Sequence, residues 1–263
     1  MPHALRRSLP MPLIALALLV FAVLGCGDLT DRLSGGNNAN TAGETPAEAN
    51  AATPETSDTV DAGLCANEYY PVDTNLRREY KITGTAPANY VLTQRPGTED
   101  GFVEVREFGS GLTVTNNWIC TPEGLRTAEY RNAMSMANGD FEMNTLKSSG
   151  VTLPKVWEQG KEFNANYTVK ASIKAGPVAA EADGTVLLKN KVAALNEKVT
   201  AGGKEYDAAR VDTTIEIDLS MGGQTIPKTS VTTKNWYAKG IGLIKQETGG
   251  RFGRQIVEYV GNK

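Results

Sequence analysis

The stretch Val211–Leu219 reads VDTTIEIDL, with apolar and acidic side chains alternating over its second half. Successive side chains of a β-strand point to opposite faces of a sheet, so this pattern predicts a half-buried strand. Because turn-forming residues separate similar alternations, we predict an all-β or β-dominated α+β fold, a curved antiparallel sheet or half-barrel over residues 65–263. The other alternations are Tyr80–Thr83, Phe102–Arg106, Leu112–Thr115, Tyr167–Lys170, Val231–Tyr237 and Gln255–Val260.

For one stretch the sequence is compatible with either a helix or a strand. Val192–Val199 is compatible with a short helix, while Val186–Val199 is equally compatible with a strand and a turn.

A weak internal repeat accompanies the strand pattern. Asn-Trp at 117–118 is followed by Gly-Leu at 124–125, and Asn-Trp at 235–236 by Gly-Leu at 242–243, with identical spacing. This spacing suits a strand end, a turn and a return strand with the tryptophan packed inward. Two explanations stay open: an internal duplication with halves 65–150 and 151–263, or two unrelated hairpins with similar turns.

Residues 1–25 have the layout of a secretory signal peptide. Arg6 and Arg7 precede an uninterrupted apolar run over residues 13–24. A helix of that length is too short to cross a hydrocarbon core of roughly 30 Å. We therefore expect residues 1–25 to be removed on export.

The sequence Val23-Leu24-Gly25-Cys26 resembles the lipobox of bacterial lipoproteins. In that family the chain is cut before the cysteine, the sulfur takes a diacylglyceryl group, and the new amine takes a fatty acid such as palmitate. The resemblance implies that Cys26 anchors the protein to the inner or outer membrane of the bacterial envelope, outside the cytoplasm. Several acyl chains on one residue would give stable attachment to the membrane, where a single chain would bind only marginally. The alternative is an ordinary secretory signal with an incidental cysteine.

The next segment, 26–64, is expected to be a disordered acidic linker. It is rich in Ala, Thr, Glu, Pro and Asn, and such a composition cannot bury enough apolar surface to offset the entropy of ordering. It carries seven acidic residues against Arg32, whereas residues 65–263 carry 24 basic and 23 acidic residues. The folded part therefore lacks the positive charge that nucleic-acid binding requires.

Two cysteines remain after Cys26, namely Cys65 and Cys120. An even pair in an exported chain favours a disulfide. The alternative, a reactive thiol or a metal site, lacks a partner, since the sequence has no Cys-x-x-Cys pair and its only histidine, His3, lies in the predicted signal peptide. Without histidine, Ser-His and Cys-His nucleophiles and histidine-ligated metals are excluded from the mature chain. We expect no enzyme activity, no metal and no cofactor.

Two carboxylate pairs raise a catalytic alternative. Glu104/Glu107 and Glu216/Asp218 could supply the acid and nucleophile of a glycosidase. The favoured interpretation places these charges on the outward face, where a soluble sheet needs them. The glycine-rich, basic stretch 249–254 lacks the strand-to-helix context of a phosphate-binding loop and is predicted to be a hairpin turn.

A group of soft apolar side chains surrounds Asn138-Gly139. Such residues adapt to ligands of varied shape and suit a lipid-binding mouth. The alternative is ordinary core or a hairpin tip. The candidate ligand-binding residues are Met134, Met136, Phe141 and Met143.

Trp236–Lys245, which reads WYAKGIGLIK, resembles the W-Y-A-x-G-V-G-L-V-K hairpin of a group of uncharacterised bacterial lipoproteins and exported proteins. Glu197–Val211 and Trp118–Leu125 are similar to other parts of that group. The resemblance implies a curved antiparallel sheet, comparable to the LolA/LolB type of lipoprotein carrier, and it brings no catalytic residues.

Two functional hypotheses follow from these observations. The first is a non-catalytic envelope lipoprotein whose β domain binds an apolar ligand, such as a lipid or an acyl chain. The second is a structural or protein-interaction module displayed at the cell envelope, which would use a sheet face or an exposed edge.

Overall fold

The computed structural model describes residues 63–97, 100–130, 141–175, 178–249 and 254–263, and these ranges contain fourteen β-strands and no helix. The predicted all-β, curved antiparallel sheet is therefore confirmed. The strands are β1 (Arg78–Gly84), β2 (Ala88–Pro96), β3 (Gly101–Phe108), β4 (Thr113–Thr121), β5 (Gly124–Thr127), β6 (Phe141–Gly150), β7 (Leu153–Pro154), β8 (Glu162–Ala175), β9 (Val178–Ala201), β10 (Lys204–Met221), β11 (Gln224–Thr225), β12 (Thr229–Ala238), β13 (Gly242–Gly249) and β14 (Gln255–Asn262).

The strands form one sheet in the order β6-β8-β9-β10-β12-β13-β14-β1-β2-β3-β4-β5-β7, with β11 paired to β10. Most neighbours are consecutive in the chain, because antiparallel strands need only short connections. The pair β1–β14 joins the first and last strands, with Tyr80 opposite Tyr259. At the outer strands β6 and β7, the amide of Val151 donates to the Asn164 carbonyl and that of Thr152 to the Leu125 carbonyl. Residues 151–152, which connect β6 to β7, are thus hydrogen-bonded to β8 on one side and to β5 on the other.

Val186–Val199, for which the sequence allows either a helix or a strand with a turn, lies within β9. Its neighbours β8 and β10 pair with it on both sides, so backbone hydrogen bonding to other strands decides the conformation. The predicted turn is absent from this described strand, and the register with β10 shifts there instead. Asn196 has a φ of 58°, a conformation that asparagine tolerates better than most residues.

Both Asn-Trp segments form hairpins. Their tryptophans, Trp118 and Trp236, are each 7% exposed, as the pattern predicts. The turns differ, since Thr121 pairs with Gly124 in the first hairpin and Ala238 pairs with Gly242 in the second. The internal duplication therefore stays a prediction.

The buried apolar residues form three clusters, and we call the sheet face that carries most of them the inner face. The aromatic centre comprises Tyr69, Tyr70, Phe102, Trp118, Cys120, Leu125, Leu153, Trp157, Val192, Ala209 and Val211. The second cluster comprises Tyr80, Tyr90, Leu92, Val199, Ala201, Ala208, Trp236, Ala238, Ile244, Val257 and Tyr259. The third comprises Ala165, Tyr167, Val169 and Val186.

Close packing of β3 on β4 gives a first testable prediction. A Cβ added at Gly101 would overlap the backbone oxygen of Trp118. We expect Gly101→Ala to lower the free energy of unfolding by about 1–3 kcal/mol, because the two strands must move apart. Urea unfolding of the full chain, followed by tryptophan fluorescence, measures this. Gly109→Ala is the control, since a Cβ there meets nothing within 4 Å. Equal losses in the two variants would contradict the expectation.

Several predicted features lie outside the described residues. These are the signal peptide 1–25, the lipidation site Cys26, most of the linker 26–64, Met134, Met136, and the turn within 250–253. In the part of the chain that the structure describes, no helix is long and apolar enough to cross a membrane.

Candidate functional site

The middle of the inner face is filled by the aromatic centre. Tyr70 lies against Phe102 and Trp118, with ring centroids 6.3 and 5.1 Å away, and Trp157 lies 4.6 Å from Tyr69. Aromatic rings at such distances pack in tilted or offset arrangements that add stability beyond burial. Side chains of the protein itself therefore occupy this part of the sheet.

The segment before β1 is fastened to the sheet at several points. A disulfide joins Cys65 to Cys120, with Cα atoms 4.9 Å apart. The Asn67 amide donates to the Pro154 carbonyl at 2.9 Å and accepts from the Trp157 indole at 3.1 Å. The Lys155 ammonium donates to the backbone carbonyls of residues 63, 64 and 66. These contacts hold Tyr69 and Tyr70 in the aromatic centre.

Glu104 is buried on the inner face, which corrects the expectation that its charge faces solvent. Its side chain is 0% exposed and lies 2.7 Å from the Arg106 guanidinium. Its carboxylate accepts hydrogen bonds from the Tyr70 hydroxyl and from the Asn116 amide. An ionised carboxylate can remain buried here because its oxygens are paired and hydrogen-bonded.

Charge and burial act in opposite directions on this glutamate. Burial raises the pKa of Glu104. The Arg106 charge and the hydrogen bonds from Tyr70, Asn116 and Arg106 together lower that pKa by more than burial raises it, so the net pKa lies below its ordinary value. Burial and the Glu104 charge raise the pKa of Tyr70 well above its ordinary value. The pair is therefore a carboxylate and a neutral phenol at neutral pH, enclosed in the core.

The other carboxylates of the two pairs face solvent as expected. Glu107 is half exposed and lies 3.3 Å from Arg77. Glu216 pairs with Lys189 at 2.6 Å, and Asp218 pairs with Lys228 at 2.7 Å. Glu104 and Glu107 lie on opposite faces of β3, whereas Glu216 and Asp218 share the outward face of β10 and are each paired with a lysine. Within the described ranges, no group of His, Cys, Asp and Glu could hold a metal ion.

An apolar surface continues along β9 and β10 beyond the aromatic centre. Its side chains are Leu188, Ile215, Ile217 and Leu219, which we call the apolar end. Leu188 is opposite Ile215 in register, so both lie on one face. All four are only half buried, whereas Val211 on the same face of β10 is 2% exposed.

Part of the predicted methionine cluster lies at the apolar end. Met143 in β6 packs against the third cluster together with these residues. Phe141 begins β6 opposite Ile173, although its side chain lies outside the described residues. Met134 and Met136 also lie outside them, so their role in ligand binding stays a prediction.

A row of polar side chains crosses the inner face next to the apolar end. Register pairs place Asn190, Thr213, Thr233, Thr248 and Gln255 opposite one another across β9, β10, β12, β13 and β14. We call this the polar row. The Thr213 hydroxyl donates to Asn190 at 2.8 Å. The Asn235 amide donates to the hydroxyls of Thr213 and Thr233 at 3.2 and 3.1 Å. Asn190 is 5% exposed, and its Nδ2 atom has no hydrogen-bond partner among the described residues.

Three residues of the polar row also line a groove of about 650 Å³, whose lining takes residues from both faces of β10, β12 and β13. Its charged residues Asp212, Lys234 and Glu247 are register neighbours on the outer face, opposite to Thr213, Thr233 and Thr248. The complete lining is Asp212, Thr213, Thr214, Thr232, Thr233, Lys234, Glu247, Thr248, Gly249 and Arg254.

Sequence reasoning missed the buried glutamate and the polar row. Phe102, Glu104 and Arg106 alternate on one face of β3, and an aromatic residue in phase with the charges is the signal that could have revealed the first. The polar row has no local signal, because its members come from five strands and meet only through register.

The chain is similar to known proteins at the level of a family model and of fold. Residues 115–256 match the DUF3108-like family model. A Bacteroides fragilis protein described as exported, with a YmcC-like fold, is 14% identical; the match covers 75% of this chain and 99% of that one, with a TM-score of 0.47. A protein from Parabacteroides distasonis described as a lipoprotein is 13% identical, with 76% and 99% coverage and a TM-score of 0.50, a likeness of fold alone. No curated protein matches the sequence.

Proposed function

This chain belongs to the DUF3108-like family, and we propose that it is a lipid-anchored protein of the bacterial envelope whose β domain binds an acyl chain without catalysing a reaction. The apolar end carries the proposal. Its inward-facing Leu188, Ile215, Ile217 and Leu219 pack against the third cluster but remain partly exposed, although full burial of such side chains is worth about 1.5–3 kcal/mol each. An apolar ligand lying along them would cover that surface.

Other observations support parts of the proposal. The lipobox-like sequence before Cys26 and the exported or lipoprotein descriptions of the two similar structures support an anchored envelope protein. Glu104 is held by Tyr70 and Arg106 inside the core, so this acid is closed to a substrate. The aromatic centre fills the middle of the sheet, which favours the apolar end over a central cavity of the LolA/LolB type.

Photolabelling of the apolar end tests this function. The full chain in phosphatidylcholine nanodiscs would be irradiated with a fatty acid that carries a diazirine in its alkyl chain. Trypsin releases the part of β10 that carries Ile215, Ile217 and Leu219 within the peptide Val211–Lys228, and we expect this peptide to be labelled in a saturable manner. Ile217→Gln should raise the half-saturating concentration about tenfold, because it replaces apolar contact with an amide.

A matched control lies next to the tested residue. Glu216 faces outward on the same strand, so Glu216→Gln should leave labelling unchanged. Leu219→Gln, near the end of β10, is a second variant should Ile217→Gln lose its native unfolding transition. Absence of saturable label in this peptide, or equal labelling of Ile217→Gln and Glu216→Gln, would overturn the proposal.

A further inference from the structure

We infer that the apolar end binds an acyl chain in one orientation, with the methyl end of the chain against the polar row and its head group at the far end of β10, and that this geometry limits the length of chain that the site holds. The inference rests on the proposed function, since it takes the apolar end as the seat of an acyl chain. It adds which chains the site selects and which way they lie.

The inner face changes from partly exposed to buried at one register position on three strands. Leu188, Ile215 and Val231 face one another across β9, β10 and β12, and all three side chains are partly exposed. Two residues away on each strand, toward the aromatic centre, the side chains are buried. These buried residues are Asn190, Thr213 and Thr233, which are 5%, 8% and 8% exposed. The accessible apolar surface therefore ends at this boundary.

The polar groups at the boundary are engaged or enclosed. The Thr213 hydroxyl donates to Asn190, and the Asn235 amide donates to the hydroxyls of Thr213 and Thr233. The unpaired Nδ2 atom of Asn190 is itself covered by the protein. A head group placed here would be buried without partners, which is costly, whereas a methyl group needs none. The end of the ligand that meets the polar row is therefore the methyl end.

The other limit of the apolar end is open to solvent. Along β10 the inward-facing Ile217, Leu219 and Met221 are all partly exposed, and Met221 is the last residue of the strand. Residues 222–225, which follow it, are exposed. A head group at this end stays in water and keeps its hydrogen bonds to solvent, so its burial costs nothing.

Strand geometry gives the length of the site. From Ile215 to Met221 the inner face of β10 extends about 20 Å, at about 3.4 Å per residue. An extended alkyl chain advances about 1.25 Å per carbon, the projection of a C–C bond of about 1.5 Å. The apolar face of β10 therefore matches a chain of about 16 carbons, and additional carbons would extend beyond it into water.

Two photoreactive forms of hexadecanoic acid test the orientation on the full chain in nanodiscs. One carries its diazirine next to the methyl end and the other carries it next to the carboxyl group. After trypsin treatment, fragmentation of the peptide Val211–Lys228 locates each adduct. We expect the methyl-end probe on Ile215 or Ile217 and the carboxyl-end probe on Leu219 or Met221.

A series of unlabelled fatty acids tests the length limit by competition with the methyl-end probe. Each two added carbons should lower the half-maximal free concentration in water about fourfold up to about 16 carbons, because each methylene on this surface is about half buried. Longer chains should give no further decrease. Ile215→Trp fills the closed end and leaves about 14 Å from Ile217 to Met221, so the limit should move to about 11 carbons. Glu216→Trp places the same side chain on the outer face and is the matched control.

The outcomes separate the inference from the function on which it rests. Reversed or evenly spread adducts of the two probes would overturn the orientation. A half-maximal concentration that keeps falling well beyond about 16 carbons, or equal limits in the two tryptophan variants, would overturn the length limit. Either result leaves acyl binding standing, whereas the absence of saturable labelling by both probes would overturn the proposed function as well. If Ile215→Trp lost its native unfolding transition, the two probes on the unmodified chain would still decide the orientation.

Discussion

Replacing Arg106 with methionine is expected to lower the free energy of unfolding by about 3 kcal/mol at neutral pH. Glu104 would then be a fully buried carboxylate without its cation, and breaking a buried ion pair in this way typically costs 3–5 kcal/mol. We place the loss at the lower end because about a third of the Arg106 side chain is exposed (34%) and water screens that part. Urea unfolding of the full chain, followed by tryptophan fluorescence, measures the loss.

The same variant should change the pH dependence of stability. In the unmodified protein the folded-state pKa of Glu104 is lowered, so this group stabilises the fold above its unfolded pKa and loses that effect as pH falls. Without Arg106, burial dominates and the folded-state pKa rises above the unfolded value. Protonation then relieves the buried charge, and the loss relative to the unmodified protein should shrink toward about pH 4.

An exposed ion pair provides the control for this prediction. Arg77→Met removes the partner of Glu107, whose side chain is 51% exposed, and should change stability by less than about 1 kcal/mol. A loss in Arg106→Met no larger than this, or one that is independent of pH, would show that Glu104 is not held as a buried carboxylate.

Removal of the disulfide is expected to have the largest effect. The Cys65–Cys120 bond closes a loop with a sequence separation of 55. In the chain-entropy model such a cross-link stabilises the fold by about 4 kcal/mol, because it restricts the unfolded chain. The double variant Cys65→Ala/Cys120→Ala should therefore lose about that amount in urea unfolding of the full chain.

A second variant separates the cross-link from the contacts around it. Lys155→Met keeps the disulfide and removes only the exposed ammonium that contacts three backbone carbonyls. We expect it to cost less than about 1 kcal/mol. If the double cysteine variant were as stable as Lys155→Met, the disulfide would contribute little to the fold.

Local patterns were sufficient to predict most of the sheet. The alternation in Val211–Leu219 places its isoleucines on the inner face and its carboxylates outside, and the structure agrees. Cys65 and Cys120 could be paired from the sequence because they are the only cysteines after Cys26.

Alternation defines two faces of a strand without saying which one is buried. In β3 the partly exposed Val103 and Val105 lie on one face, and the buried Phe102 and Glu104 lie on the other. The partner that decides this, Tyr70, comes from 34 residues earlier in the chain. Such long-range contacts leave no local mark, and the same limit hid the polar row, which exists only once the register of five strands is set.

The most direct test of the central claim is in-cell photocrosslinking, with a photoreactive amino acid placed at Ile217 of the full chain and, as the control, at Glu216. These positions are adjacent on β10 and face opposite sides of the sheet. The account predicts that the crosslinked chain with the probe at position 217 gains the mass of an acyl lipid, and that the chain with the probe at 216 does not. Crosslinks at position 217 to proteins alone, or equal lipid adducts at both positions, would contradict it.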